Sequence, residues 1–238
     1  MLRLASLLVL ALMAIGSIFV TGCDDPFRVS TAEEIEIGNS TGKSLEKEYG
    51  LWKDETQTRR VQRIGDKIAA DTSRADLPWS FKILNTKDVN AMAAPGGYIY
   101  VTRGLLEEVT SDDELAGVLG HEIAHVVKRH GAKMIEKQTK IALAAGVLLG
   151  GQSDAVVLGA SIANALVMSG YSREDEYTAD KYGTIYAAQS GYEADGLLRF
   201  LKTLESLEEG SPSTLERWIA THPPTKDRIK RLEQQLGN

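Results

Sequence analysis

The stretch Ser111-Asp112-Asp113-Glu114-Leu115-Ala116-Gly117-Val118-Leu119-Gly120-His121-Glu122-Ile123-Ala124-His125 decides how this chain is read. It opens as a helix N-terminus, with a hydroxyl at Ser111 and a carboxylate three residues on at Glu114, the capping-box arrangement. Leu115, Val118, Leu119, Ile123 and Val126 follow at helical spacing, so a buried helix starts here. At roughly 100° per residue, His121 and His125 project about 40° apart, and both imidazoles can reach one zinc ion. Glu122 stands beside that face, where a carboxylate can hold a water at the metal and take its proton as general base. Only four histidines occur in 238 residues, so composition does not produce this H-E-x-x-H pattern by itself.

Composition narrows what surrounds that helix. With 43% hydrophobic and 25% charged residues, the chain can build one globular core. Its 27 basic and 33 acidic side chains give a net charge of -6, so no positive excess is available for a phosphate backbone, and no nucleic-acid partner is expected. A single cysteine can make neither an intramolecular disulfide nor a Cys-rich zinc or iron–sulfur site. A metal here must be held by histidine and carboxylate.

A hydrolytic zinc site needs a third protein ligand and an open position. Six residues after His125 stands Gly131, so the third histidine of H-E-x-x-H-x-x-G-x-x-H is missing. His130, five positions past His125 and about 140° around a continuous helix, reads as a surface or core residue. The third ligand should then be a carboxylate on another helix. Ser172-Arg173-Glu174-Asp175-Glu176-Tyr177-Thr178-Ala179-Asp180 supplies E-x-x-x-D, with Glu176 as ligand. Asp180, one turn on, accepts the free N–H of a metal-bound imidazole.

Residues 31–49 and 55–75 read as amphipathic helices separated by Gly50, the second marked by Val61, Ile64 and Ile68. Trp79 to Leu84 and Tyr98 to Val101 read as strands, the latter introduced by Pro95-Gly96-Gly97. The helix begun at Ser111 is expected to continue to Leu149. After Gly150-Gly151 an apolar stretch runs from Ala155 to Met168, and together these read as a helical hairpin that is buried or covers the cleft. A hairpin dipping into a membrane is the alternative. Further helices are expected over 172–189, 195–207 and 225–236, with a loop at 209–213.

The first 22 residues carry one charge, Arg3, followed by an apolar run from Leu4 to Met13, and Val20-Thr21-Gly22-Cys23 then resembles a bacterial lipobox. The reading is a lipoprotein signal peptide over 1–22, with lipidation at Cys23, and a lipid-anchored N-terminal segment and helix over 23–54. A zinc metallopeptidase domain fills 55–238. An uncleaved anchor helix is the alternative for the first segment. Membrane contact would run through Cys23, placing the protein in the bacterial cell envelope, facing the periplasm, anchored to the inner or outer membrane.

H-E-I-A-H followed by S-R-E-D-E-Y-T-A-D resembles the gluzincin metallopeptidases that include the heat-shock protease HtpX, the type I CAAX prenyl proteases and the mitochondrial protease Oma. The likeness runs over about residues 55–232. It is strongest for the soluble, envelope-facing lipoprotein type, because no multi-span region follows Cys23. It implies an α+β fold, a mostly helical single-domain zincin with a small mixed or antiparallel sheet over the H-E-x-x-H helix. One zinc ion per chain is implied, held by His121, His125 and Glu176.

Two further segments carry the resemblance. Asn90-Ala91-Met92-Ala93-Ala94, ahead of Pro95-Gly96-Gly97, looks like the family's edge strand, whose free backbone groups would pair with an extended or unfolded polypeptide substrate. Thr221-His222-Pro223 with Arg228 looks like its C-terminal His-Pro element. His222 would donate to the oxyanion or fill the open zinc position at rest. Arg173 and Arg228 would brace the site through ion pairs. The implied activity is zinc endopeptidase cleavage of unfolded or misassembled envelope proteins. The rivals are a zinc-containing, chaperone-like binding protein with latent peptidase activity and a processing peptidase with one target.

Overall fold

The computed structural model describes residues 25, 27–144, 159, 161–165, 170–210, 215–222 and 225–237. The expected signal segment, Cys23 and much of the expected hairpin lie outside the described residues. In chain order the elements are α1 (Thr31–Tyr49), α2 (Glu55–Ala70), β1 (Ser80–Leu84), β2 (Ala91–Ala94), a 3-10 turn (Pro95–Gly97), β3 (Tyr98–Thr102), α3 (Arg103–Glu108) and α4 (Asp112–Val127). They continue as α5 (His130–Ala144), α6 (Arg173–Gln189), α7 (Gly196–Gly210), α8 (Glu216–Thr221) and α9 (Thr225–Leu236). The fold is α+β and mostly helical, as expected, with a three-stranded mixed sheet ordered β1-β3-β2. β3 pairs with β1 in parallel and with β2 antiparallel.

The central helix is α4, buried continuously from Glu114 to Val126, which is why its sequence is apolar nearly all round. Val61, Ile64 and Ile68 of α2, Phe81 and Ile83 of β1, Ile99 and Val101 of β3, and Leu197, Phe200, Leu201 and Leu204 of α7 share its core. Burying a leucine or isoleucine of this kind contributes about 1.5–3 kcal/mol. Ser111 caps α4 as read, accepting from the Glu114 N–H at 3.2 Å. The Glu114 carboxylate, however, reaches one residue further back, to the N–H of Thr110 at 2.7 Å.

The structure departs from the sequence reading at several elements. The helix begun at Ser111 does not run on. It stops at Val127, and Arg129 takes a left-handed φ of 59° before α5 starts at His130. That conformation costs a non-glycine residue about 1–2 kcal/mol. Arg129 is held in it by Glu34 of α1 at 2.8 Å and by the carbonyl of Val29. α2 ends at Ala70 rather than 75, and α7 extends through 209 and 210, whereas Ala91–Ala94 forms the edge strand that the resemblance implies. α3 and α8 are short helices that hydrophobic periodicity does not reveal. Among the described residues no helix is long and apolar enough to cross a membrane.

Candidate metal centre

Two helices carry the site because their backbones touch. A Cβ on Gly120 of α4 would lie 2.5 Å from the carbonyl oxygen of Gly183 on α6, and one on Gly183 would lie 2.5 Å from the His121 nitrogen. Ala179, Gly183 and Ala187 form an i, i+4 row of small buried residues on α6, the ridge that lets α4 approach. This approach brings the Glu176 and Asp180 carboxylates up to the histidines.

His121, His125, Glu176 and His222 are all buried and present one possible ligand atom each within 4.8 Å of one another. The His121 and His125 Nε2 atoms are 3.1 Å apart. Glu176 lies 3.6 Å from the first and 3.4 Å from the second. A tetrahedral ion with ligands at about 2.0–2.1 Å has ligand–ligand edges of about 3.3 Å, so these three groups fit one small divalent cation. Behind His121, the Asp180 Oδ1 accepts from Nδ1 at 2.9 Å. Fully buried Arg228 pairs with Asp180 through Nε at 2.8 Å and Nη2 at 2.6 Å. The Arg228 Nη1 reaches Glu176 at 3.1 Å and the carbonyl of His222 at 3.3 Å.

The charge pattern matches a cation site. Burial lowers the His121 pKa more than Asp180 raises it, so the imidazole is neutral, as a ligand must be. Burial would raise Glu176, but the charges of His222 and Arg228 hold its carboxyl well below the ordinary value. Burial lowers His222, yet the Glu176 charge lifts it above the usual histidine range. Both carboxylate oxygens of Glu122 are buried without a hydrogen-bond partner among the described residues. An orphaned buried carboxylate is costly unless a ligand or water completes it, so the donor set and Glu122 together fit a metal with its water.

The strand expected to pair with substrate is present as an outer strand, and its outward backbone groups are covered. β2 is an outer strand, and alternation along it turns the backbone groups of Ala91 and Ala93 away from β3. The Ala91 carbonyl meets His222 Nε2 at 3.2 Å, and the Ala93 carbonyl accepts from the Tyr171 hydroxyl at 3.2 Å. Asn90 does not lie on that edge. Its carbonyl accepts from the Thr102 N–H at 3.0 Å, and its Oδ1 accepts from Thr221 Oγ1 at 3.1 Å, so it ties the His222 loop down instead. Met92 and Ala94 turn their backbone groups inward with it. Ala91, Met92, Ala93, Glu122, Gly170, Tyr171, Thr221 and His222 enclose about 10 Å3, room for a single water.

Of the residues read from sequence, the structure gathers His121, Glu122, His125, Glu176, Asp180, His222 and Arg228. Arg173 is a correction. It is exposed on the first turn of α6, and among the described residues no ion pair joins it to the site. A helical side chain leans toward the N-terminus, so from this first position it points away from the ligands. Two contributors escaped the reading. Tyr171 stacks on His125 with centroids 4.0 Å apart, and His130 is buried with Nδ1 2.9 Å from His125 Nδ1. Burial, with neighbouring His125, holds the His130 pKa down to about 3. An aromatic immediately before the Ser172 cap was the available signal for Tyr171, whereas His130 depended on the break at Arg129.

A family model described as peptidase family M48 matches residues 55–236. A putative beta-barrel assembly-enhancing protease of Vibrio cholerae is 28% identical over 207 residues, 83% of this chain and 43% of the relative. The mitochondrial metalloendopeptidase OMA1 of Schizosaccharomyces pombe is 29% identical over 216 residues, 87% of this chain and 62% of the relative. Metalloprotease YcaL of Escherichia coli is 29% identical over 209 residues, 86% of this chain and 76% of the relative. The chain thus spans less than two thirds of the first two relatives. From a family match that runs from α2 to the end of α9, with a buried His-His-Glu cluster at its centre, the chain belongs to peptidase family M48.

Proposed function

We propose that the metal is zinc and that the protein cleaves unfolded or misassembled proteins of the bacterial cell envelope, held at the membrane by a lipidated Cys23. The observation that carries the enzymatic part is the Glu122 carboxylate, buried without a hydrogen-bond partner and 3.7 Å from His222, beside His121, His125 and Glu176. The names of relatives from Vibrio cholerae and Yersinia pestis, both beta-barrel assembly-enhancing proteases, support the envelope setting. Val20-Thr21-Gly22-Cys23 supports the anchor.

His121, His125 and Glu176 would hold the ion. Zinc, when bound, supplies the Lewis acidity that makes water a nucleophile near neutral pH and polarises a carbonyl. Glu122 accepts the proton from the attacking water and returns it to the leaving amine. Asp180 and Arg228 keep His121 and Glu176 oriented. The substrate lies extended along β2, pairing with Ala91 and Ala93 as an added strand. Its arrival requires His222 and Tyr171 to release those carbonyls, after which His222 is free to donate to the oxyanion.

That covering also favours a second reading, a latent peptidase whose main work is binding client chains. Cleavage of an unfolded model protein by the mature chain tests both. Glu122→Gln should retain one zinc per chain and lose about 10²–10⁴-fold in cleavage rate, the usual contribution of a general base. A chelator should abolish activity. Normal turnover by Glu122→Gln would break the mechanism. Restoration by that variant of a strain lacking the protein would favour the binding role.

A further inference from the structure

The structure assigns His130 as a positioning residue for the metal centre: its Nδ1 accepts the Nδ1 proton of His125 and so dictates which nitrogen His125 turns to the ion. This rests on the reading that His121, His125 and Glu176 hold the metal. The two ligand histidines need the same service and obtain it differently. For His121, Nε2 faces the cluster and Nδ1 meets Asp180 at 2.9 Å. For His125, Nε2 also faces the cluster, 3.1 Å from His121 and 3.4 Å from Glu176, so Nδ1 must carry the proton. The group placed to receive it is another imidazole, His130, at 2.9 Å.

Two facing nitrogens share one proton, so His130 accepts at Nδ1 and bears its own hydrogen on Nε2. That nitrogen lies 3.5 Å from Asp175 Oδ1. Asp175 is itself fixed, since its other oxygen accepts from Ser172 Oγ at 2.6 Å. The series Asp175, His130, His125 therefore does for one ligand what Asp180 does alone for the other. On an unbroken helix His130 would point about 140° away from His125. The left-handed turn at Arg129 returns it, and Glu34 of α1, outside the segment matched by the family model, helps to hold that turn. Tyr171 stacked on the His125 ring restrains the ring plane as well.

The test compares His130→Asn with His130→Leu in the full mature chain. The two side chains share one branched shape, but only asparagine offers an acceptor near the place of Nδ1. In competition with a chelator, His130→Leu should lose about 10–100-fold in Zn2+ affinity, and His130→Asn should stay within roughly threefold of the parent. The ligand-field absorption of bound Co2+ should shift in the leucine variant alone, while metal-free unfolding midpoints match. Equal losses in both variants, or no loss in either, would overturn the assignment.

Should the leucine variant fail to fold, Asp175→Ala decides: a drop of roughly threefold or more in Zn2+ affinity supports the series and unchanged affinity overturns it. His125→Ala separates this inference from the reading beneath it. Unaltered Zn2+ binding there would refute the ligand set itself. Loss of binding there, beside parental affinity in His130→Leu, would refute only the role of His130.

Discussion

The ligand layer and the cover over it are built from different material. His121, His125, Glu176 and Asp180 project from two long helices whose backbones touch at Gly120 and Gly183, and each polar atom behind the ligands has a partner. The cover consists of a four-residue edge strand, the turn at Gly170 and Tyr171, and the end of a six-residue helix at Thr221 and His222. Its grip on the β2 edge is one hydrogen bond at each of the Ala91 and Ala93 carbonyls, while His222 is also paired with Glu176 at 3.2 Å and Thr221 is tied to Asn90. A net hydrogen bond contributes about 0.5–1.5 kcal/mol, whereas a buried charge left without its partner costs about 3–5 kcal/mol. The ligand layer is thus fixed by groups that cannot separate cheaply, and the outer carbonyls of β2 are capped by two contacts that can.

The largest effect that would break this contrast is expected at Arg228. Arg228→Leu removes the cation shared by the buried Asp180 and Glu176 carboxylates and should cost about 3–5 kcal/mol in the unfolding of the metal-free protein, measured by denaturant titration. A change below about 1 kcal/mol would show that the ligand layer is not rigid. Acid provides a milder form of the same test. Burial would raise Asp180, but the charge of Arg228 and the hydrogen bonds from His121 and Arg228 hold it below its ordinary value. Its stabilising contribution is therefore present above the unfolded carboxyl pKa of about 4 and fades as pH falls through the lower folded value. The metal-free Arg228→Leu variant should show a flatter dependence over that range.

Next in size is the helix contact. Gly183→Ala places a methyl group against the α4 backbone, and overpacking of this kind costs about 1–3 kcal/mol. Because the contact also sets the distance from Glu176 to the histidines, metal affinity should fall along with the thermal midpoint. Retained affinity beside reduced stability would show that the carboxylate is placed by something else. Ser111→Ala removes the cap of α4 and should cost about 1 kcal/mol in stability, with cleavage by the folded enzyme unaltered.

The smallest effect is expected at the cover. Tyr171→Phe keeps the ring on His125 and removes the bond to Ala93. If that bond competes with substrate, cleavage of a short peptide should rise roughly two- to tenfold, the worth of one net hydrogen bond. Slower cleavage would mean that the hydroxyl helps substrate rather than excludes it.

Much of this was legible in the residues. The Ser111 cap, the apolar spacing to Val126 and H-E-x-x-H specify a buried helix with two histidines on one face, because cap chemistry and the 3.6-residue period are local properties. E-x-x-x-D on a second helix was readable for the same reason, and the absence of cysteine clusters limited the donors to histidine and carboxylate. Only the tertiary structure decided the rest. It brought α6 against α4 through glycines 63 residues apart, turned His130 back onto His125 through a break held by Glu34, kept Arg173 out, and seated His222 and Tyr171 on the outer edge of β2. These depend on contacts between residues distant in the chain, whose energies come from burial and pairing in the folded state and leave no period in the sequence.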